Sequence, residues 1–233
     1  MRLLLTRPQP GADHSAQILR PRGHEVLVAP LLQIEPLPDA DLGAPPWGAV
    51  LLSSANAARA IVHHARLNEL VSLPALAVGD RTADAARAAG FADVQSAGSD
   101  AKDLARAASA RFAGLKAPVL YLAGEDRARD LAADISGLIL RTVVVYRAVQ
   151  AMAFPSAART ALSEGRIDGV LHFSLRTAEA YVACARSANL LDKALAPLHF
   201  CLSTRVAGPL AGAAGIRIAP RPDEAALLDL IGR

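Results

Sequence analysis

The sequence predicts an α/β protein made of two similar domains, each with a parallel β-sheet between two layers of helices. One observation is that short apolar runs alternate with segments of helical periodicity, which is typical of parallel sheets covered on both faces. The other is an internal repeat, because residues 50–62 return as residues 170–182 with six identical positions. Two further matched pairs keep the same order along the chain: residues 4–8 with 121–125, and residues 78–83 with 202–207.

The first of four pieces is predicted to be a β-α-β unit. Residues 3–5 form an apolar strand that ends at Thr6-Arg7-Pro8. Residues 11–22 form an amphipathic helix that ends at Gly23, because glycine adopts the left-handed C-cap conformation without steric cost. A second strand follows over residues 25–29.

The other three pieces repeat this alternation of strand and helix after a linker. Residues 31–37 are predicted to be extended, and the prolines that follow make the stretch up to Trp47 a linker. Asp100 is a suitable N-cap for a helix that continues to residue 113. The further strands are predicted over residues 49–52, 75–78, 94, 119–122, 143–146, 169–173, 198–202 and 217–219, and the further helices over residues 55–65, 82–89, 127–135, 177–185, 207–214 and 223–231.

Five strands in each copy indicate two flavodoxin-like, doubly wound sheets. The first piece can pair with the second or with the fourth, and the proline-rich joints favour the fourth. Residues 1–35 and 150–233 then form a discontinuous domain around an inserted domain of residues 37–145. Two strands pass side by side between these swapped lobes as a ladder. A cleft between the two domains is the expected place for a small-molecule site.

Composition places the chain among folded proteins of a reducing compartment. The 233 residues are 52% hydrophobic, and no apolar run reaches the roughly 18 residues that span a bilayer. The apolar start of the chain is too short for a secretory signal. The two cysteines, Cys184 and Cys201, do not form a C-x-x-C pair, which argues against a disulfide scaffold or a zinc site. A cytoplasmic protein without membrane segments is expected.

The chain carries a net charge of +3 from 22 arginines, three lysines and 22 acidic residues. The planar fork of arginine suits carboxylate and phosphate groups. A biased base composition is the alternative explanation, since alanine is also abundant. Because there is no lysine-rich run and no aromatic residue interleaves with the basic ones, binding to nucleic acid is not expected.

Polar residues follow the predicted strands at their carboxyl ends, where ligands of open α/β sheets bind. Backbone N–H groups at the start of the following helices attract anions there. A ligand with many carboxylates or phosphates suits such an edge, although each Ser, Thr or Asn alone is also an ordinary N-cap. The candidate binding residues are Arg7, Ser53, Ser54, Asn56, Arg81, Thr82, Arg127, Ser174, Arg176, Ser203 and Arg205.

Other chemistries find less support in the sequence. It contains no G-x-G-x-x-G, P-loop or G-x-S-x-G motif, so a nucleotide cofactor and a serine nucleophile are not expected. His63 and His64 are expected on the surface of a helix, and His172 and His199 in buried strands. Tyr146 presents a polar tip at the end of an apolar run, either as a site residue or as an ordinary interface tyrosine.

The motifs together resemble the uroporphyrinogen-III synthase family over nearly the whole chain. The family pattern begins with T-R-P, here Thr6-Arg7-Pro8, and continues with a leucine, a glycine and P-L-L. The remaining motifs, in order, are Ser53-Ser54-Ala55-Asn56-Ala57, Val78 to Ala83, Val145-Tyr146-Arg147, Phe173-Ser174 and Ser203 to Ala207.

The resemblance implies a cytoplasmic hydro-lyase of tetrapyrrole synthesis with two swapped domains joined by a two-stranded ladder. Such an enzyme cyclises hydroxymethylbilane, a linear tetrapyrrole with acetate and propionate carboxylates on every ring. The product is uroporphyrinogen III, formed through a spiro-pyrrolenine with ring D inverted and one water lost. No metal or organic cofactor is implied. Tyr146 matches the family tyrosine that assists loss of the hydroxyl.

The expected partners are the substrate hydroxymethylbilane and, transiently, hydroxymethylbilane synthase, with the chain itself a monomer. Two departures from the family pattern lie in the fourth piece, where Ser174-Leu175-Arg176 stands for S-P-S and Ser203 to Ala207 replaces G-x-T-T-A. Two other functions also stay open. One is a non-catalytic two-lobed binder of an anionic small molecule, and the other is a regulatory homologue without turnover.

Overall fold

The computed structural model describes residues 1–98, 100–126 and 131–232. The chain divides into two compact units, and we describe each by itself. Unit 1 is discontinuous and consists of Met1–Gln33 and Val149–Arg233, whereas unit 2 is the continuous segment Ile34–Ala148. The chain therefore leaves unit 1 once and returns to it once.

The strands are short apolar segments that agree with the predicted runs in most places. They are β1 (Arg2–Leu5), β2 (Glu25–Val28), β3 (Leu32–Pro36), β4 (Ala49–Leu52), β5 (Ala75–Ala77), β6 (Val94–Ser96), β7 (Val119–Gly124), β8 (Leu140–Gln150), β9 (Gly169–His172), β10 (Leu198–Cys201) and β11 (Gly215–Ile218).

The α-helices lie between the strands, and short 3-10 helices extend or replace some of them. The α-helices are α1 (Gly11–Leu19), α2 (Ala55–Ile61), α3 (Leu67–Val71), α4 (Gly79–Ala88), α5 (Ala101–Arg111), α6 (Ser156–Ser163), α7 (Leu175–Ser187), α8 (Leu191–Leu195), α9 (Thr204–Ala207) and α10 (Glu224–Asp229). The 3-10 helices are Arg20–Arg22, Leu131–Asp134 and Gly208–Leu210.

The sheet of unit 1 has five strands in the order β2-β1-β9-β10-β11, and every neighbouring pair is parallel. Both faces are buried, because successive side chains of a strand point to opposite faces. Leu4 belongs to one hydrophobic cluster, whereas Leu3 and Leu5 belong to another. The sheet therefore forms the middle of a three-layer α/β/α unit with a flavodoxin-like strand order.

The sheet of unit 2 has the order β3-β8-β7-β4-β5-β6. The five strands from β8 to β6 are parallel. Val50 and Leu52 face one hydrophobic cluster, while Ala49 and Leu51 face the other. The predicted fold class, two similar α/β domains with parallel sheets, is confirmed, with a sixth strand in this sheet instead of five.

The sixth strand of this sheet, β3, pairs with β8 in the antiparallel sense. The Leu37 N–H donates to the Val145 carbonyl at 2.8 Å, and the Ala151 N–H donates to the Leu31 carbonyl at 3.0 Å. Residues later in β3 thus face residues earlier in β8, which is the antiparallel arrangement. These two strands carry the chain from unit 1 into unit 2 and back, which is the two-stranded connection expected from the sequence.

The helix predicted over residues 55–65 is shorter, because α2 ends and α3 begins around a turn at His64. Nδ1 of His64 accepts a hydrogen bond from the Arg66 N–H at 3.0 Å, and its Nε2 lies 2.9 Å from the Ala40 carbonyl oxygen. His64 is buried, so its predicted surface position is wrong. The backbone partners supply the hydrogen bonds that allow a polar ring to be buried.

The helix predicted over residues 207–214 is also misplaced. Ser203 is the N-cap of α9, which starts at Thr204 and gives way to the 3-10 helix Gly208–Leu210. The helix predicted over residues 82–89 starts earlier, at Gly79. The short helices α3, α6 and α8 were not predicted from the sequence, because helices of five to eight residues show too little periodicity.

Part of the helix predicted over residues 127–135 lies outside the described residues. The described end of that segment is the 3-10 helix Leu131–Asp134. Among the helices in the described ranges, none is both long enough and apolar enough to cross a bilayer.

Candidate active site

The carboxyl edge of the unit 2 sheet carries the serine pair that follows β4. Ser54 is the N-cap of α2, and its hydroxyl oxygen accepts a hydrogen bond from the Asn56 N–H at 3.1 Å. This bond satisfies one of the free N–H groups at the helix start. The ordinary capping role of a serine after a strand therefore applies to Ser54.

Ser53 has a different partner. Its Oγ lies 2.7 Å from the Oη of Tyr121, a residue of the neighbouring strand β7. Tyr121 is 4% exposed, whereas Ser53 is half-buried. Sequence reasoning had not singled out Tyr121, since its position in an apolar run gives no sign of a polar contact.

Two arginines approach each other on α2 and α4, the helices that follow β4 and β5. Nη1 of Arg59 donates to Oδ1 of Asn56 at 3.3 Å, so the guanidinium turns back toward the start of α2. Arg59 is exposed, but partial desolvation of its guanidinium, and next to it the positive charge of Arg81, lower the pKa of Arg59 from its usual value. Arg81 itself is exposed in the first turn of α4, and the adjacent Thr82 is buried.

Arg59 was not predicted as a site residue, because it lies one helical turn beyond the start of α2 and seven residues beyond the end of β4. Side chains of a helix lean toward its N-terminus, however, and this lean returns the Arg59 guanidinium to Asn56. The lean, read together with the i to i+3 spacing from Asn56, is the signal that could have identified it. The edge of unit 2 therefore presents hydroxyl, amide and guanidinium donors together, a set that suits carboxylates.

Tyr146 lies on β8, where β7 and β8 change register opposite Gly124. A methyl group on Gly124 would lie 2.6 Å from Cζ and 2.8 Å from the Tyr146 hydroxyl oxygen, so the ring rests directly on the glycine. Only glycine leaves room for this contact. Tyr146 is half-buried, and within the described part of the chain its hydroxyl has no hydrogen-bond partner.

In unit 1, Arg7 follows β1 and is held by its surroundings. Its Nη1 lies 2.7 Å from Oε1 of Glu224, and the Ser15 hydroxyl donates to the same oxygen at 2.6 Å. The guanidinium also stacks over the Phe173 ring, 4.0 Å from its centroid. Arg7 was predicted to bind substrate through its positive charge. The ion pair with Glu224 offsets much of that charge.

The two candidate serines of unit 1, Ser174 and Ser203, serve as helix caps. The Ser174 hydroxyl oxygen accepts a hydrogen bond from the Thr177 N–H at 3.2 Å, and the Thr177 hydroxyl oxygen accepts one from the Ser174 N–H at 3.2 Å. These two bonds form a capping box. The Ser203 oxygen accepts from the Val206 N–H at 3.4 Å. Arg176 is half-buried in the first turn of α7, and Arg205 is exposed in α9. Arg127, the remaining candidate, lies outside the described residues.

Two fully buried histidines of unit 1, His172 and His199, form a pair away from solvent. Nε2 of His172 lies 2.9 Å from Nδ1 of His199, and both side chains are fully buried, as the sequence predicted. Burial, assisted by the neighbouring His199, lowers the pKa of His172 well below its usual value. Burial lowers the pKa of His199 to about 4, against a smaller opposing effect of the Ala194 carbonyl. The pair is neutral at pH 7 and belongs to the core.

The two cysteine thiols of unit 1 are buried and protonated, and no cluster of metal ligands lies within residues 1–98, 100–126 and 131–232. Burial raises the pKa of Cys201 to about 12 and raises that of Cys184, so neither thiol forms a thiolate readily at pH 7. No group of three or more His, Cys, Asp or Glu side chains in these ranges is placed to hold a metal ion.

A family model described as uroporphyrinogen-III synthase HemD matches residues 13–229 of the chain. No curated protein shows significant sequence similarity to this chain.

Solved structures of uroporphyrinogen III synthase from Thermus thermophilus are similar at 14% sequence identity. A structure of the wild-type enzyme matches 99% of this chain and 96% of its own, with a TM-score of 0.45. A triple mutant of the Thermus thermophilus enzyme matches 99% and 97%, with a TM-score of 0.49. A further structure from Thermus thermophilus matches 98% and 96%, with a TM-score of 0.40.

Proposed function

Because the chain belongs to the uroporphyrinogen-III synthase family, we propose that it cyclises hydroxymethylbilane to uroporphyrinogen III, inverting ring D and releasing one water. The family match over residues 13–229 carries this proposal. The product would enter the synthesis of heme and other tetrapyrroles. The expected cytoplasmic location, monomeric state and transient contact with hydroxymethylbilane synthase stay predictions, as does a binding cleft between the domains.

Substrate binding is assigned to the donors at the carboxyl edges of the two sheets. In unit 2 these are Ser53, Asn56, Arg59 and Arg81, whose hydroxyl, amide and guanidinium groups suit the acetate and propionate carboxylates of the substrate. Ser54 contributes at the start of α2, and Thr82, buried in the first turn of α4, has a smaller share.

In unit 1, Ser174, Arg176, Ser203 and Arg205 have the corresponding positions after β9 and β10. The pairing of Arg7 with Glu224 gives Arg7 a smaller share of this work. Charge-assisted hydrogen bonds of this kind are short and directional, so they can hold a flexible tetrapyrrole in one folded shape.

We assign to Tyr146 the role of proton donor to the hydroxyl group that leaves. The C–O bond of the hydroxymethyl group breaks, and the hydroxyl takes the phenolic proton of Tyr146 and leaves as water. The electron-rich pyrroles stabilise the cation that remains, so the reaction needs no strong nucleophile from the protein. The proton that the pyrroles release on ring closure restores the phenol, and the net change is the loss of one water. The half-buried hydroxyl of Tyr146, which no described residue engages, supports this role.

The direct test is a coupled assay in which hydroxymethylbilane is generated in the presence of the protein. The oxidised products are separated into type I and type III isomers, and hydroxymethylbilane closes unaided to type I. A dominant type III product is expected. Type I alone from well-folded protein contradicts the proposal and favours an anion-binding or regulatory homologue.

The Tyr146→Phe variant tests the leaving-group role in the same assay. The loss of a positioned proton donor is expected to lower kcat for the type III isomer about 100-fold, with little change in KM. Tyr181→Phe is the matched control, because it removes a buried tyrosine hydroxyl from unit 1 and should leave kcat unchanged. Near-normal turnover of Tyr146→Phe contradicts the assignment.

A further inference from the structure

Tyr121 differs from the other core residues of β7 because its side chain ends in a polar group. It pairs with Leu51 across β7 and β4, and Ser53 lies two residues beyond Leu51 on the same face of the sheet. The Tyr121 ring packs in the same hydrophobic cluster as Leu51. Its hydroxyl therefore extends along the sheet toward the carboxyl edge, where it meets the Ser53 oxygen at 2.7 Å.

The direction of this hydrogen bond follows from burial. Tyr121 is 4% exposed, and Ser53 is the partner of its hydroxyl among the described residues. If Ser53 donated, the phenolic proton would be buried without an acceptor in the described part of the chain, which is costly. If Tyr121 donates, its proton is satisfied, and half-buried Ser53 keeps its own proton for an acceptor at the edge.

We propose that Tyr121 is a positioning residue that donates to Ser53 and thereby holds the Ser53 hydroxyl proton outward, as a donor to a carboxylate of the substrate. This inference rests on the proposed function. Without Tyr121 the serine hydroxyl would rotate among three staggered positions. A donated hydrogen bond also polarises the acceptor hydroxyl and strengthens its own donation.

The test compares KM for hydroxymethylbilane in the wild type and in Tyr121→Phe, which keeps the ring and removes the hydroxyl. We expect KM to rise about tenfold, while kcat stays within about twofold of the wild-type value. Tyr181→Phe is the matched control, because it removes a buried hydroxyl that donates to the Ala194 carbonyl at 2.8 Å in unit 1. It should leave KM unchanged.

A double-mutant cycle separates positioning from packing. Ser53→Ala should raise KM to a similar extent, and adding Tyr121→Phe to it should raise KM no further. Additive effects, or a wild-type KM in Tyr121→Phe, overturn the inference. Melting temperatures are compared throughout, and Tyr121→Met replaces Tyr121→Phe if the latter is less stable than Tyr181→Phe.

A binding measurement makes the result independent of turnover. The oxidised product uroporphyrin III, a stable octacarboxylate, is titrated into each protein, and Kd should rise about tenfold in Tyr121→Phe. If the wild type binds uroporphyrin III but yields only type I product, the proposed function fails. The change of Kd in Tyr121→Phe then still tests the role of Tyr121 in binding. If Kd does not change in Tyr121→Phe, the inference on Tyr121 fails by itself.

Discussion

At the residue scale, the three tyrosines of this chain have their hydroxyls in three different settings. Tyr181 donates to a backbone carbonyl inside unit 1, and Tyr121 meets a serine at the carboxyl edge of unit 2. Tyr146 lies on Gly124, with no partner for its hydroxyl among the described residues. The same substitution to phenylalanine therefore has three expected effects, on stability, on KM and on kcat.

The histidine pair gives the chain a pH-dependent stability. The pKa of His199 is about 4 in the folded state and about 6.5 in the unfolded state, so the unfolded chain binds more protons between these values. The contribution of His199 to the free energy of unfolding should then have its full value above pH 6.5 and should fall as the pH decreases toward 4. His199 alone should account for a loss of about 2 kcal/mol between pH 7 and pH 5.

Urea unfolding at pH 7, 6 and 5 measures this loss. Replacement of both histidines by leucine, His172→Leu with His199→Leu, should flatten the dependence in this window. The exposed His63 provides the control, since His63→Gln should keep the wild-type slope. An unchanged slope in the double variant would show that other groups cause the pH dependence.

At the element scale, the helix starts combine capping with the candidate site. Ser54, Ser174 and Ser203 each accept a backbone N–H of the helix that follows. Their positions were predictable, because a polar residue between an apolar strand and a helix is a usual N-cap. The exact ends of α2 and α9 were not predictable, because a buried histidine and a 3-10 turn determine them.

The capping box of α7 should contribute measurable stability. Ser174→Ala removes the oxygen that accepts from the Thr177 N–H, and the free energy of unfolding should fall by about 1 kcal/mol. Ser187→Ala, at the exposed end of the same helix, should change it by less than about 0.5 kcal/mol. Equal stabilities of the two variants in urea would contradict the capping role.

At the scale of the whole molecule, the two units share one strand order with different starting points in the chain. Unit 1 has the order β2-β1-β9-β10-β11, and the parallel strands of unit 2 have the order β8-β7-β4-β5-β6. The internal repeat matches β1 with β7 and β9 with β4, so each pair of matched strands has the same place in its sheet. Unit 2 is thus a permuted version of unit 1.

The continuous unit should fold alone. Residues 34–148 contain both hydrophobic clusters of their sheet, whereas residues 149–233 lack β1, which lies inside the unit 1 sheet. Segment 34–148 should therefore unfold in urea in one cooperative transition. Far-ultraviolet circular dichroism measures this transition. Segment 149–233, the control, should show none. A non-cooperative change in segment 34–148 would contradict this expectation.

The sequence by itself determined the fold class, the strand positions and the polar residues at the strand ends, because apolar alternation and capping are local patterns. Tertiary structure alone decided which groups meet: Ser53 with Tyr121, Arg7 with Glu224, and His64 with the Ala40 carbonyl. These partners lie far apart along the chain, and no local pattern encodes such a pairing. Packing in three dimensions, which brings neighbouring strands and helices together, selects the partners of these polar groups.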